Sequence, residues 1–531
     1  MNEQNFFSNI YPDGRSPVPE NIRTEYTHND TVFAWISILM GFIVARAVPI
    51  SKNSLGMTVT TLCFIALGLV FSRANKLTVT RRSYILAAAL AIFSAGFITS
   101  ANRAIHFCLF LFVFFLFFIW VYSCRGLGDG LFKGYALRDS VQAIFCIPFA
   151  AMIHFFPSLV PKEKNGKANT ALRTVLLILA GLGCALIPTI VIIKLLSYDD
   201  GFTAIIDKIL DISFLDAIRF ICDVAMGFTV ATIIFGSLYG SKQRTACKAD
   251  SSCESGIADK GGLPRILLCA AVTPILAVYV IFFISQWSYY VSAFTGVLPG
   301  DLTFADYARS GFFQLCAVSG INAILLLLFN VLIKRTYKKR DHLRSIYSAV
   351  ISLFTLVLIA TAMSKMILYI DSFGLTQKRV YASWLMILLV ATFIIVLLGQ
   401  IFRQIPIFPV IAVTAIVFFA LIALHDVDGM IASYNVNAYL SGDLATVDVN
   451  AAEDLGASAV PALARLREEL IASPASKDTK SLLQETNYAL LRMRTDIDGL
   501  QSGLFSFNIP IQRARNIFEG IPIEELHYVI Y

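Results

Sequence analysis

Charge is scarce in this sequence. Asp, Glu, Lys and Arg together make up 15% of its 531 residues, against about 25% in soluble globular chains. Too few polar side chains remain to cover a water-soluble surface of this size. A soluble enzyme, a disordered scaffold and a nucleic-acid-binding domain are therefore excluded as descriptions of the whole chain. Cysteine is missing from the last hundred residues: all ten lie between Cys63 and Cys316, mostly within apolar runs, where they read as small packing residues. Cys247 and Cys253 share a polar loop, but with no second pair and no nearby His they make a poor zinc site. Enzyme motifs are absent as well. There is no Gly-x-Ser-x-Gly elbow, no His-Glu-x-x-His, no P-loop, and no Gly-x-Gly-x-x-Gly after a strand. No cofactor and no metal are expected, and the balance is against an enzyme.

What the chain has is apolar length. Hydrophobic residues are 57% of the total and the mean hydropathy is +0.71. A helix needs about 20 mainly apolar residues to cross the hydrocarbon core. Eleven runs meet this: Thr31 to Pro49, Ser54 to Ser72, Ser83 to Thr99, Ala104 to Ser123, Ala171 to Leu196, Phe214 to Gly240, Ile266 to Tyr289, Gly311 to Ile333, Ser345 to Ile370, Val380 to Gln400 and Pro406 to Leu424. A further stretch, Val141 to Val160, carries Gln142, His154, Pro148 and Pro157, and is expected to lie in the interface or dip part-way into the membrane. The predicted fold class is thus an all-α integral membrane protein of about 11 spans plus interfacial helices.

Lys and Arg collect in five loops, at 73–82, 125–138, 162–173, 242–265 and 334–344. All five fall on one side only if Val141 to Val160 does not cross. The positive-inside rule then puts the N-terminus in the cytoplasm and the C-terminus outside. The first thirty residues form a cytoplasmic segment with no basic region typical of a secretory signal. Ala45-Arg46-Ala47 mimics a cleavage site, but an uncleaved first helix is favoured. Residues 31–424 form the polytopic domain, and residues 1–424 together carry 35 Lys plus Arg and 21 Asp plus Glu. Residues 425–531 carry 8 against 15, which predicts an acidic, extracytoplasmic, mainly helical domain. Its expected helices start after Asp448 or Asn450 and cover 460–470, 479–493 and 511–518, with an exposed loop at 473–478. Another amphipathic helix, 198–215, is expected on the outer surface.

Ionisable residues within spans call for explanation. Arg219 and Asp223, spaced by four, would share a helix face near the midplane. They form either a polar site open to water or a self-neutralising structural pair. Near the outer surface, Arg309, Lys365 and Arg379 would form an anion site if brought together, unless they merely snorkel at helix ends. The acidic pair Asp199 and Asp200 would suit a divalent metal with a phosphate substrate, although a solvated helix end is the plainer reading. Gly126-Leu127-Gly128-Asp129-Gly130 reads as a flexible turn.

Tyr307-Ala308-Arg309-Ser310-Gly311-Phe312-Phe313, and Gly374-Leu375-Thr376 followed by Arg379 and Tyr381, resemble stretches of a bacterial family of multi-pass membrane proteins catalogued as domain of unknown function 4173. So do Asp428 with Asn435-Val436, Ala459 to Leu463, and Phe505 to Asn508 with Arg513-Ala514-Arg515. Where that family's last motif would carry Trp, this chain has Phe505 and Phe507. The resemblance implies a bacterial plasma membrane and no particular activity. Three functions compete. The leading one is a non-enzymatic envelope protein that senses, scaffolds or contacts lipid through its outer face and C-terminal domain. A transporter built around Arg219 and Asp223 is second, and a glycosyltransferase using a lipid-linked donor is third. The bilayer is the expected partner, with an anionic lipid or another envelope protein as further candidates, and no nucleic acid.

Overall fold

The computed structural model describes residues 26–47, 54–77, 79–124, 136–159, 214–249, 265–285, 312–332, 342–402, 405–474, 476–500 and 503–527. The expected span Ala171 to Leu196, the amphipathic helix 198–215 up to its last two residues, the 126–130 turn and Cys253 lie outside the described residues. Every regular element among the described residues is helical. Among the described residues seven helices are long and apolar enough to cross a membrane, or eight if one bent pair counts as a span, and three shorter apolar helices cover Ser83–Thr99, Cys269–Ser285 and Gln314–Leu328. The chain is an all-α multi-pass membrane protein, as the apolar runs predict.

It divides into two compact units. One comprises Met1–Ser94, Phe110–Leu131 and Leu137–Gly256; the other comprises Ala95–Leu109, Phe132–Ala136 and Ile257–Tyr531. The division between the units falls within the polytopic part.

In the first unit, α1 (His28–Ala47) packs along α7 (Phe214–Ala249). Between them in sequence come α2 (Ser54–Ala74), α3 (Arg81–Ser94), the short α4 (Gly96–Thr99) and α5 (Arg103–Cys124), of which α4 and the start of α5 up to Leu109 belong to the second unit, and a broken helix α6 at 136–158. Helices gain little hydrophobic energy from meeting inside a bilayer, so close approach of small residues matters more. Here Gly41 faces Gly227 and Ala231 so closely that a Cβ on Gly41 would run into the Gly227 carbonyl. Phe42 crosses Phe228 edge-on at 5.7 Å. Helix α6 contains a π-helical turn at Gln142–Cys146 and a 3-10 turn at Met152–His154. Its stretch Asp139–Ser158 has the length and hydropathy of a span. Pro148 does not end the helix because it occupies the first turn of Ile147–Ala151, where a missing N–H costs little. Gly236 and Gly240 of α7 leave room for the Pro148 carbonyl and for Ile147 and Ala151.

The second unit holds α8 (Arg265–Ser285), α9 (Phe312–Leu332), α10 (His342–Phe373), α11 (Gln377–Ile401) and α12 (Ile407–Ala423). Its membrane core is built on Ile351, Leu358, Ile359, Ala362, Met386, Phe393 and Val396. After α12 the chain bends by 62° into α13 (Val427–Leu440), followed by α14 (Val449–Glu453), α15 (Val460–Ala472), α16 (Lys477–Asp498), α17 (Ile509–Gly520) and α18 (Ile523–His527). These starts are written in the sequence. The Asp448 carboxylate accepts from the Ala451 amide at 2.9 Å, Pro461 opens α15, and Ser476 caps α16. Leu463, Leu466 and Leu470 of α15 are buried together with Leu483, Leu490, Met493 and Ile497 of α16. Arg467 is buried among them, its Nε donating to Asn487 at 2.9 Å and its Nη2 meeting Glu525 at 2.9 Å. A buried cation held on two sides in this way fixes the packing of α15, α16 and α18.

Candidate functional site

The most constrained polar cluster lies in the second unit, where the ends of membrane helices meet the C-terminal helices. Asn102 starts it. Its Oδ1 caps α5 by accepting from the Ala104 and Ile105 amides at 2.8 and 3.1 Å, which supplies partners for N–H groups that a helix start leaves free. Its Nδ2 is thereby aimed outward, donating to Asp428 Oδ2 at 2.8 Å and to the Tyr381 hydroxyl at 3.1 Å. Gln377, in the first turn of α11, donates to Asp428 Oδ1 at 3.0 Å. Asp428 is 3% exposed. Burial pushes its carboxyl above the ordinary 3.8, while the bonds from Asn102 and Gln377 pull the other way.

Two further amides act at the same level. Asn435 of α13 accepts from the Leu375 amide at 2.7 Å and donates to the Leu375 carbonyl at 2.8 Å, so it reads the α10–α11 turn like a partner strand. That turn needs Gly374, whose φ is +70° and whose missing Cβ would meet the Asn435 side-chain oxygen. Asn508 caps α17 and donates to the carbonyls of Phe97 and Ser100 at 3.1 and 2.6 Å. His106 Nε2 donates to the same Ser100 carbonyl at 2.7 Å. A helix end buried beside another element must find partners for its carbonyls, and Asn508 supplies them from more than 400 residues away in sequence.

Arg379 sits beside this cluster and donates to the carbonyls of Phe373 and Gly374, with its guanidinium 4.0 Å from the Tyr369 ring centre. It closes the C-terminal end of α10. Lys365 is buried two turns earlier in α10, at 7% exposure, and Arg309 lies outside the described residues. Arg379's engagement with backbone carbonyls gives it a structural task at the end of α10.

The other polar candidate, in the first unit, takes a different form. Asp223 Oδ2 lies 3.5 Å from Arg46 Nη1, with the two side chains 35% and 84% exposed. Arg46, read from sequence as part of a cleavage-site mimic, is thus the cation described beside Asp223. The side chain of Arg219 is outside the described residues. At the opposite end of α7 Lys242 Nζ meets Asp30 Oδ1 at 2.7 Å, and Thr27 donates to Asp30 through both its amide and its hydroxyl. Asp30 is 1% exposed. One ion pair therefore closes each end of the α1–α7 pair. Asp199 and Asp200 lie outside the described residues. Among the described residues no group of three His, Cys, Asp or Glu could hold a metal ion.

Sequence reasoning missed Asn102, Gln377 and Asp30. Asn102 and Gln377 sit just outside apolar runs, and Asp30 lies one residue before the run assigned to the first span. The signal that would have found Asn102 is its position two residues before Ala104, where a capping residue belongs.

A family model described as Domain of unknown function (DUF4153) matches residues 59–466, which is 408 of the 531 residues. It is a different family from domain of unknown function 4173, so that assignment is corrected. Gly374, Leu375, Arg379, Tyr381, Asp428, Asn435 and Asn508, which carried the resemblance, all belong to the helix-end cluster or its immediate support. No curated protein and no solved structure matches the chain.

Proposed function

The chain belongs to the family described as Domain of unknown function (DUF4153), and from that premise we propose that it is a non-enzymatic membrane scaffold. Its C-terminal helices form a stiff platform at one membrane surface, built to contact lipid or another envelope protein. The observation that carries this reading is the three-point clamp. Asn102 with Asp428, Asn435 with Leu375, and Asn508 with Phe97 and Ser100 tie the C-terminal helices to the ends of α4, α5, α10 and α11. A domain that moved during a transport or catalytic cycle would have to break buried hydrogen bonds at all three points, each costly to leave unmade. With residues 141–160 not crossing, the five basic loops support an N-terminus in the cytoplasm and a platform outside.

The test uses Ile471, which is 54% exposed on α15. A cysteine at 471, in a chain whose native cysteines are replaced, should react with an impermeant thiol reagent in intact bacterial cells. A photo-reactive group at the same position should cross-link to an envelope protein or a lipid. Thiol labelling only after permeabilisation would overturn the outer platform.

A further inference from the structure

We infer that the turn 503–507 inserts its side chains into the outer interface of the bilayer, so that the platform is seated on lipid as well as clamped to helix ends. This deepens the scaffold reading and rests on it.

Three large apolar side chains stand in solvent within four residues: Leu504 is 76% exposed, Phe505 58% and Phe507 43%. Such a group is costly to leave in water unless something covers it. The turn is also stiff. Gly503 N donates to Ser506 Oγ at 2.9 Å, Ser506 Oγ donates back to the Gly503 carbonyl at 2.8 Å, and the Ser506 amide closes the turn on that carbonyl at 3.1 Å. A preformed turn displays its apolar side chains without paying much ordering entropy on contact.

The neighbouring Asn508 sets the height of the turn. It is bonded to the carbonyls of Phe97 and Ser100, where the apolar stretch Ser83–Thr99 ends. Arg103, exposed at the start of α5, and Phe107, exposed one turn further in, bracket the same boundary between head groups and acyl chains. Leu504 is four residues from Asn508, so it lies within roughly 14 Å of that level even if the chain were fully extended. Interfacial segments use Leu and Phe in this way, burying them about 5–10 Å into the head-group and acyl boundary. The turn itself carries no charged residue, so the contact is apolar and should not need anionic lipid.

The full-length chain, with native cysteines replaced, is reconstituted one copy per nanodisc in phosphatidylcholine and labelled with an environment-sensitive fluorophore at Phe505→Cys or, as a reference, at Lys480→Cys, an exposed site on α16. Seating on lipid predicts blue-shifted emission at 505 that is quenched at least twofold by doxyl groups on the acyl chains, with the 480 signal water-like. Neither signal should change with 20% anionic lipid or with 0.5 M salt. Water-like emission at 505 would overturn the insertion. So would a blue shift that doxyl lipid does not quench, because it would mean a protein contact. Protease protection of residues 427–527, followed in the same samples, separates this failure from failure of the platform: protection kept with a water-like 505 removes only the lipid seat. Protection lost removes the clamp on which the seat depends.

Discussion

The amide of Asn102 donates to the carboxylate of Asp428 over 2.8 Å, joining residues 326 positions apart. One side chain thereby caps a membrane helix and holds the first helix after the last span, so the start of α5 and the start of α13 are parts of one structure.

Replacing Asp428 tests that link. In Asp428→Asn one of the two donors, Asn102 or Gln377, must face an amide nitrogen, and a loss of about 1–3 kcal/mol is expected. The carboxyl is raised by burial, so the folded state holds its proton to higher pH than the unfolded chain. Its contribution is complete below the unfolded pKa and declines as pH rises through the folded one. The melting temperature of the parent should fall as pH is raised from about 4 through that range. A scan of Asp428→Asn should lack this slope; a slope that persists would assign it to another group.

The two ion pairs of α1 and α7 should differ sharply. Lys242→Ala leaves Asp30, 1% exposed, without its cation, and a loss of about 3 kcal/mol is expected because an unpaired buried charge is expensive. Asp223→Ala breaks a pair whose members are 35% and 84% exposed, and should cost under about 1 kcal/mol. Thermal unfolding in one detergent compares them directly, and equal losses would contradict the burial argument.

Gly41→Leu should separate α1 from α7, since even a Cβ meets the Gly227 carbonyl. Membrane accumulation should fall severalfold. Gly320→Ala, at a site with nothing within 4 Å of the added Cβ, is the control and should accumulate like the parent.

Much of this fold was legible in the sequence because long apolar runs leave a bilayer few alternatives. The Asp448 cap and the buried Leu face of α15 were readable for the same local reason: capping and 3.6-residue periodicity act over a few residues. The clamp was not readable. Asn102 looks like an ordinary cap, and nothing within four residues of it says that its free amide will reach Asp428. Asp223 shows the opposite limit. Its nearest cation in sequence, Arg219, suggested a pair and has a side chain outside the described residues, and the antiparallel partner helix brings a second cation, Arg46, alongside. Short-range spacing predicts what shares a helix face, and the packing of a second helix decides which charges meet. The stretches around Gly374, Tyr381 and Asn435, far apart in sequence, converge on one cluster in space.

Asn508→Ala takes its amide donor from the carbonyls of Phe97 and Ser100, leaving His106 on the latter, and removes the cap of α17. A loss of about 2 kcal/mol is expected, seen as earlier proteolysis within 509–527 while α10 and α11 stay intact. Simultaneous cleavage of both regions would mean that the clamp is not a separate layer.

The clamp as a whole is tested most directly by hydrogen exchange in nanodiscs, comparing the parent with an Asn435→Ala, Asn508→Ala double variant. If the C-terminal helices are held by these amides, exchange in 428–440 and 509–520 should speed up by about tenfold or more, which corresponds to roughly 1.4 kcal/mol, with α10 and α11 unchanged. Identical exchange in parent and variant would contradict the account, because the platform would then be held by something other than its buried hydrogen bonds.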